Sequence, residues 1–354
     1  GLKVSNTLCI TLGPALTTNP VMAQRCIEAG KQIAALGRQQ PLIALGSLGV
    51  GLGAVAFGAQ TYSRRSSARP TDARPRLTLM TWNVLARPYT KYNRQHHRAN
   101  GKVEDPTQTM SRYTMAGEEI LNRGCDLVFL QECEAEFVDP AWNIAAGRLR
   151  QEYHFFRCPQ GLLDGPGTAL LVRRAGRAAS EVEPGRHVCV GGSAETGGRS
   201  KCATIVPVRA GLRSFLAVSG HFIWDGEAAK RLRHVEMIGE VVGDKSVVFA
   251  GDFNAEPGPS LEKLEQSSKF MGRLQRVVLP DNTMTGLTGD FSKQVCIDHV
   301  YTSPDLPLLR AAALAKPANP WGGRVTRPAK VSGASDHVPV VVELDMDQEG
   351  APAP

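Results

Sequence analysis

The run VVFAGDFNAEPG, residues 247–258, is an apolar strand that closes on a carboxylate and a carboxamide two residues apart. Strand side chains alternate with a period of two, so Asp252 and Asn254 are expected to point one way and Phe253 the other. Burial and charge thus meet at one strand end. The pattern recurs along the chain. Asn83 closes LTLMTWNV, Glu132 closes DLVFLQE, His221 closes SFLAVSGHF, Asp298 lies in CIDHVYTS, and Asp336–His337 precede VPVVVEL. A fold that obeys all these endings must collect buried strands with their polar ends around one cavity.

From Leu77 onward short β-branched segments, including TALLVRR and CATIVPVRA, alternate with helical stretches. SRYTMAGEEILNRG and GEAAKRLRHVEMIGEVVG read as helices; in the second, Leu232, Val235, Ile238 and Val242 recur at three-to-four spacing. The expectation is one mixed α/β domain over 76–346 with a solvated tail over 347–354. Apolar residues make up 42% and charged residues 21% of the 354, as in an ordinary globular chain. The net charge of +7 is unevenly placed. Residues 1–71 hold seven Lys/Arg against one acid, Glu28, and so carry +6, leaving +1 for the remaining 283. That excludes a domain-wide basic footprint for nucleic acid and leaves only local polyanion contacts, from clusters such as RQHHR, LVRRAGR and KRLR, which otherwise read as solvated faces. The eight cysteines show no CxxC and no zinc-like spacing, and read as small buried thiols.

Residues 1–75 are of different material. Leu42–Ala59 is an uncharged apolar run containing five glycines, flanked by Arg38 and by Arg64–Arg65. As a helix its 18 residues would rise about 27 Å, borderline for a bilayer. The expectation is a targeting or membrane-anchor segment: a transit peptide, with a mitochondrial destination favoured, or an anchor that tethers the domain to a membrane or organellar assembly.

Several carboxylates converging on one cavity suit phosphate-ester hydrolysis. Each close pair repels by about 4 kcal/mol at an effective dielectric near 20, and a divalent cation removes that cost. An all-oxygen ligand set selects a hard ion such as Mg²⁺. An Asp can activate water, and a His propped by an Asp becomes a charged donor to phosphoryl oxygens.

MTWNVLA, VFLQEC, SGHF, AGDFNAEP, CIDHVY and ASDHVPV, in this order, resemble the motifs of the endonuclease/exonuclease/phosphatase superfamily, and WNVLARPY, GDFNAEPGPSLEKL and IDHVYTS are most similar to its CCR4-type branch. The resemblance implies a four-layer α/β sandwich, two mixed β-sheets face to face and flanked by helices. It implies hydrolysis dependent on Mg²⁺, with Mn²⁺ as a substitute. Glu132 would be the principal metal ligand, with Asn83 beside it and Asp336 completing the site. Asp252 would polarise water and Asn254 position it; His337, oriented by Asp298, and His221 would contact the phosphate. Asp225, Phe291 and Thr168 would lie against the substrate, Phe291 by stacking on a base. Pro166–Gly167 depart from the usual pattern at that pocket edge. The substrate implied is an RNA 3′ end, poly(A) in type. A small nucleotide is the alternative, and a catalytically retired subunit the non-enzymatic one.

Overall fold

The computed structural model describes residues 76–92, 103–160, 165–174, 180–181, 188–191, 201–223, 227–279, 285–287, 294–306, 308–313 and 334–346. The N-terminal 75 residues, Asp225, Phe291, RQHHR and the 347–354 tail lie outside the described residues, and so do the expectations placed on them. Among the described residues no helix is long and apolar enough to cross a membrane.

The strands in chain order are β1 (Arg76–Asn83), β2 (Leu127–Cys133), β3 (Tyr153–Gln160), β4 (Gly165–Arg173), β5 (Ser180–Glu181), β6 (Val188–Gly191), β7 (Cys202–Ala210) and β8 (Arg213–His221). They continue with β9 (Val247–Asp252), β10 (Gln275–Arg276), β11 (Gly286–Leu287), β12 (Gln294–Val295), β13 (Asp298–Thr302), β14 (Leu308–Ala313) and β15 (Val340–Asp345). One sheet has the order β14-β15-β1-β2-β4-β3 and the other β10-β13-β9-β8-β7-β5, with β6 paired to β7; β11 and β12 form a separate ribbon. Among the described residues four α-helices accompany them: α1 (Pro106–Arg123), α2 (Ala146–Glu152), α3 (Ala228–Val242) and α4 (Pro259–Ser267).

Alternation along the strands builds the layers. Leu77, Leu79, Phe129, Leu170 and Val342 from the first sheet meet Val206, Val208, Ala217, Val248 and Val300 from the second in a core between the sheets. Their neighbours of opposite parity, Met80, Trp82, Val128 and Leu130, pack with Tyr113 and Ile120 of α1 and Leu149 of α2. On the far side Ile205, Val218 and Phe249 pack with Val235 and Ile238 of α3 and Leu261 and Leu264 of α4. Both sheets bury both faces, which is why these strands read as continuous apolar runs. This is the expected sandwich of helix, sheet, sheet and helix. The first helix begins five residues earlier than its apolar period suggests. Asp105 caps it, accepting from the Thr107 and Gln108 amides, and Pro106 supplies the fixed φ of the first turn.

Parallel pairing sets where the polar ends go. β1 runs parallel to β2, and β8 parallel to β9, so Asn83, Glu132, His221 and Asp252 all emerge at carboxyl ends. β13 is antiparallel to β9 and opens with Asp298 opposite Asp252. β15 is antiparallel to β1, with Val340 opposite Thr81, which brings the preceding Ser335–His337 beside Asn83. One register pair leaves no room for side chains: a Cβ on Gly251 would lie 1.9 Å from the Gly220 carbonyl oxygen, and one on Gly220 2.8 Å from the rings of Phe222 and Phe249. Gly251→Ala is therefore expected to cost more than about 3 kcal/mol, above the usual overpacking range, because backbone must move. Urea unfolding checks this; a change below about 1 kcal/mol would show that the strands part freely.

Candidate active site

Asn83 is the bracket of the cluster. Its Oδ1 accepts the Leu85 N–H (3.0 Å), which turns the carboxamide nitrogen toward Glu132 Oε1 and Asp252 Oδ2, each 3.1 Å away. Asn83, expected beside the metal, gives one Oδ1 lone pair to a backbone amide and keeps the second, while its NH₂ ties two carboxylates together. The other Glu132 oxygen accepts the Ala86 N–H at 3.1 Å. Leu85, Glu132 and Asn254 have φ of 54°, 54° and 49°, the non-glycine positive values among the described residues. All three flank this cluster, and such left-handed conformations cost about 1–3 kcal/mol each.

Asp252 ends β9, and the chain turns at once. Its Oδ1 accepts the Asn254 N–H (2.8 Å), and Asn254 Nδ2 donates to the Phe222 carbonyl (2.9 Å). Phe253 goes the other way, into the layer beneath α3 and α4. The alternation read from GDFN holds in direction, but Asn254 stands in a turn that Asp252 itself closes.

His337 Nδ1 lies 2.8 Å from Asp298 Oδ2, with Asp298 fully buried. Burial alone would lower the imidazole pKa; the Asp298 charge and hydrogen bond, with Asp252 and Asp336 behind them, raise it well above the ordinary value. These groups favour the imidazolium, and its Nε2 stands 3.9 Å from Asp252 Oδ2. Ser335 fixes the segment, donating to the Asn83 carbonyl (2.6 Å) and accepting the His337 N–H (3.1 Å), while Trp82 Nε1 donates to the His337 carbonyl at 3.0 Å.

His221 differs. Its Nε2 is 3.5 Å from Asp252 Oδ2 and 3.9 Å from Glu132 Oε1, but 2.7 Å from Lys201 Nζ. An ammonium only donates, so Nε2 is an acceptor here. Burial first, then Lys201, pushes the His221 pKa well below its ordinary value. His221, expected on the phosphate side, thus stands among Asp252, Glu132 and Lys201 with its Nε2 taken by Lys201. Lys201 was invisible to the strand-end pattern because it stands just before β7. Burial pushes the Lys201 pKa below its ordinary value, with the Asp252 and Glu132 charges opposing.

Thr168, expected against the substrate, is fully buried; its hydroxyl pairs with Thr204 Oγ1 (2.8 Å) and its N–H points at Cys202 Sγ (3.2 Å), so its polar groups are taken up between the sheets. Two arginines that sequence reading missed as site elements hold the loops. Arg112, paired with Glu104 at 2.9 Å, donates to the carbonyls of Val84 (2.8 Å) and Ala334 (3.2 Å). Arg231 is also buried, and donates to the carbonyls of Ile223 and Asn254 (both 3.2 Å) rather than presenting a charged face to a polyanion.

Two places suggest a cation. Single ligand atoms of Asp252, Asp298 and His337 lie within 4.8 Å of one another. In that trio His337 Nδ1 is already engaged by Asp298, and the surrounding carboxylates favour the protonated ring, which has no lone pair to give. Glu132 is different: its side chain is 13% exposed, and its pKa is raised to about 7 by burial and then by the Asp336 charge, with Lys201 and Asn83 opposing. A carboxyl still so disfavoured as an anion is short of positive charge even beside Lys201, and the oxygen-only pair of Glu132 and Asp336 suits a hard divalent ion.

The family model described as "Endonuclease/Exonuclease/phosphatase family" matches residues 80–337. Among solved structures, the chain is similar to ANGEL2, a 2′,3′-cyclic phosphatase, in complex with adenosine-2′,3′-vanadate (15% identity, 77% of this chain and 96% of that chain, TM-score 0.57). It is similar also to the human Nocturnin catalytic domain with bound sulfate (18%, 77% and 94%, TM-score 0.52) and to D. rerio TDP2 complexed with single-strand DNA product (15%, 77% and 99%, TM-score 0.54). No curated protein matches the chain. Motif order, sandwich and strand-end cluster agree with the family match: the chain belongs to the endonuclease/exonuclease/phosphatase family of phosphoester hydrolases.

Proposed function

We propose that the chain is a Mg²⁺-dependent phosphodiesterase that removes nucleotides from an RNA 3′ end. The observation that supports it is the division of labour at one spot: Asp252, held by Asn83 Nδ2 at 3.1 Å, faces the His337 imidazolium at 3.9 Å, with Lys201 on the other flank through His221. Glu132 and Asp336 would hold the metal, whose charge would offset that of the phosphoryl and leaving oxygens. Asp252 takes the proton from the attacking water, and the Asn254 carboxamide beside it positions that water. His337 donates Nε2–H to a phosphoryl oxygen, kept charged and oriented by Asp298. Lys201 supplies a second fixed positive charge to the same group. Mn²⁺ would serve as a substitute.

A second reading, hydrolysis of a small phosphorylated nucleotide, is favoured by charge. The domain carries little net charge outside residues 1–71, and the arginines Arg112 and Arg231 are committed to loop carbonyls, so a long polyanion track is not evident among the described residues. The presence of Glu132, Asp252 and His337 in one cluster weighs against a retired domain. Asp225 and Phe291 as substrate contacts, and residues 1–75 as an organellar or membrane-tethering segment, remain part of this reading as proposals.

Full-length protein with Mg²⁺ and a 5′-labelled RNA ending in adenosines should give a ladder shortening from the 3′ end, abolished by EDTA and by Asp252→Ala. An unchanged RNA together with phosphate release from a small nucleotide would select the second reading; silence with both would restore the retired-domain view. Lys201→Met should lower kcat/KM about 100-fold on whichever substrate is cleaved, the loss typical of one fixed oxyanion donor. An unchanged kcat/KM would remove Lys201 from the site. Glu132, with its folded pKa above the ordinary value, adds stability at low pH that the metal-free protein loses as pH rises toward about 7. Metal binding needs the carboxylate, so at pH 6 it should release about one proton. Calorimetry in two buffers of different ionisation enthalpy reads this, and Glu132→Gln should abolish it; the absence of proton release in the unsubstituted protein would move the metal elsewhere.

A further inference from the structure

Sequence spacing scatters the cysteines, but the fold gathers three of them. Cys158 lies on β3, the edge strand of the first sheet; Cys189 and Cys202 lie on the paired strands β6 and β7 at the edge of the second. In that ladder Cys189 stands opposite Thr204 and Gly191 opposite Cys202, so both cysteines share one face with Thr204. That face meets β3 and β4, where Cys158 is paired with Thr168. The polar contacts join up: Thr204 and Thr168 exchange hydroxyl contacts at 2.8 Å, the Thr168 N–H points at Cys202 Sγ at 3.2 Å, and Cys202 Sγ reaches the Cys158 carbonyl at 3.4 Å. β3 also lies against β6, so the layer that holds Cys202 beside the Cys158 backbone brings Cys189 to the same edge. Further along the same face of β7 come Val206 and Val208 of the apolar core. The inter-sheet layer therefore turns from hydrocarbon to sulfur and hydroxyl at this edge. Cys158 and Cys202 are buried and Cys189 is exposed, so the cluster has one door to solvent.

We propose that Cys158, Cys189 and Cys202 form a peroxide-reactive thiol site, in which Cys189 is the attacking sulfur and Cys158 the resolving one. Beside that placement, Cys158 is the first cause favouring the thiolate at both neighbours, against their burial, and the Thr168 donors add to it at Cys202; Cys189 and Cys202 in turn, with burial, raise the Cys158 pKa, so Cys158 stays a thiol until Cys189 is oxidised. Hydrogen peroxide is the oxidant. The Cys189 thiolate attacks one peroxide oxygen, an S–O bond forms as O–O breaks, and hydroxide leaves to become water. Cys158 then attacks the Cys189 sulfur, forming S–S as S–O breaks, and its proton leaves with the departing oxygen as a second water. Two thiols are oxidised by two electrons and one peroxide is reduced to two waters. Cys202, on the other side of Cys158, can exchange by attacking it and releasing the Cys189 thiolate, which carries the bond inward. Either bond staples β3 to the opposite sheet. A soft metal fits less well, because no ligand atoms of the three cysteines form a group within 4.8 Å of one another.

The test uses the reduced full-length chain, treated with a small excess of hydrogen peroxide, blocked with N-ethylmaleimide and mapped by mass spectrometry. A disulfide between Cys158 and either Cys189 or Cys202 is expected. Cys189 should be lost about tenfold faster than the half-buried Cys296, as exposure and thiolate character require. Cys158→Ser should remove every such link and leave a dimedone-reactive sulfenic acid on Cys189. Cys189→Ser, an exposed change that leaves the core intact, should suppress the link at the same peroxide dose. Unlinked Cys158 in the unsubstituted protein, a link that survives Cys189→Ser, or oxidation of Cys189 no faster than Cys296, would each overturn the site.

Discussion

Four carboxylates, Glu132, Asp252, Asp298 and Asp336, come together at one end of two packed sheets, and the rest of the architecture answers to that crowding. At an effective dielectric near 20 each close pair costs about 4 kcal/mol, which no cluster can bear several times over without compensation. The compensation is built from particular groups. Asn83 places one NH₂ between Glu132 and Asp252, His337 neutralises Asp298 by direct contact, and Lys201 leans in through His221. Holding these groups requires backbone that strands do not ordinarily supply, hence the left-handed residues Leu85, Glu132 and Asn254. Arg112 and Arg231 then tie down the loops that carry them by their carbonyls.

The reach of sequence reading is set by how much period-two patterning can carry. It locates polar groups at ends of buried strands, and so Asn83, Glu132, His221, Asp252, Asp298 and His337 were all legible before any geometry. Parity could also have placed Thr168, which shares its face of β4 with the core residues Leu170 and Val172 and is buried with them. Lys201, Arg112 and Arg231 belong to another class. Their long side chains travel several ångströms to partners on remote loops, so neither strand alternation nor helix periodicity betrays them. The orientation of Asn83 was beyond reach for a further reason: a carboxamide has a donor end and an acceptor end, and only the position of the Leu85 amide decides between them.

Neighbours on β7 show how one strand serves two chemistries. Lys201, just before it, reaches His221 in the carboxylate cluster, while Cys202 at its start turns to Thr168 and Cys158 between the sheets. Successive side chains on a strand point to opposite faces, so adjacent residues lie in different electrostatic surroundings.

Charge balance also argues for where a divalent ion belongs. Asp252, Asp298 and His337 satisfy a distance test for ligation, yet the pair at 2.8 Å is closed, buried and internally neutral. Adding a dication there would first require His337 to surrender a proton that Asp298, Asp252 and Asp336 all help it to keep. Glu132 has the opposite imbalance. Its carboxyl is raised to about 7 by burial and by Asp336, its side chain retains some exposure, and Lys201 and Asn83 offset the charge only in part. A site that binds metal must be short of positive charge before the metal arrives and open enough to admit it. The cluster around Glu132 has that shortage and some exposure, which is the physical reason for proposing the metal there.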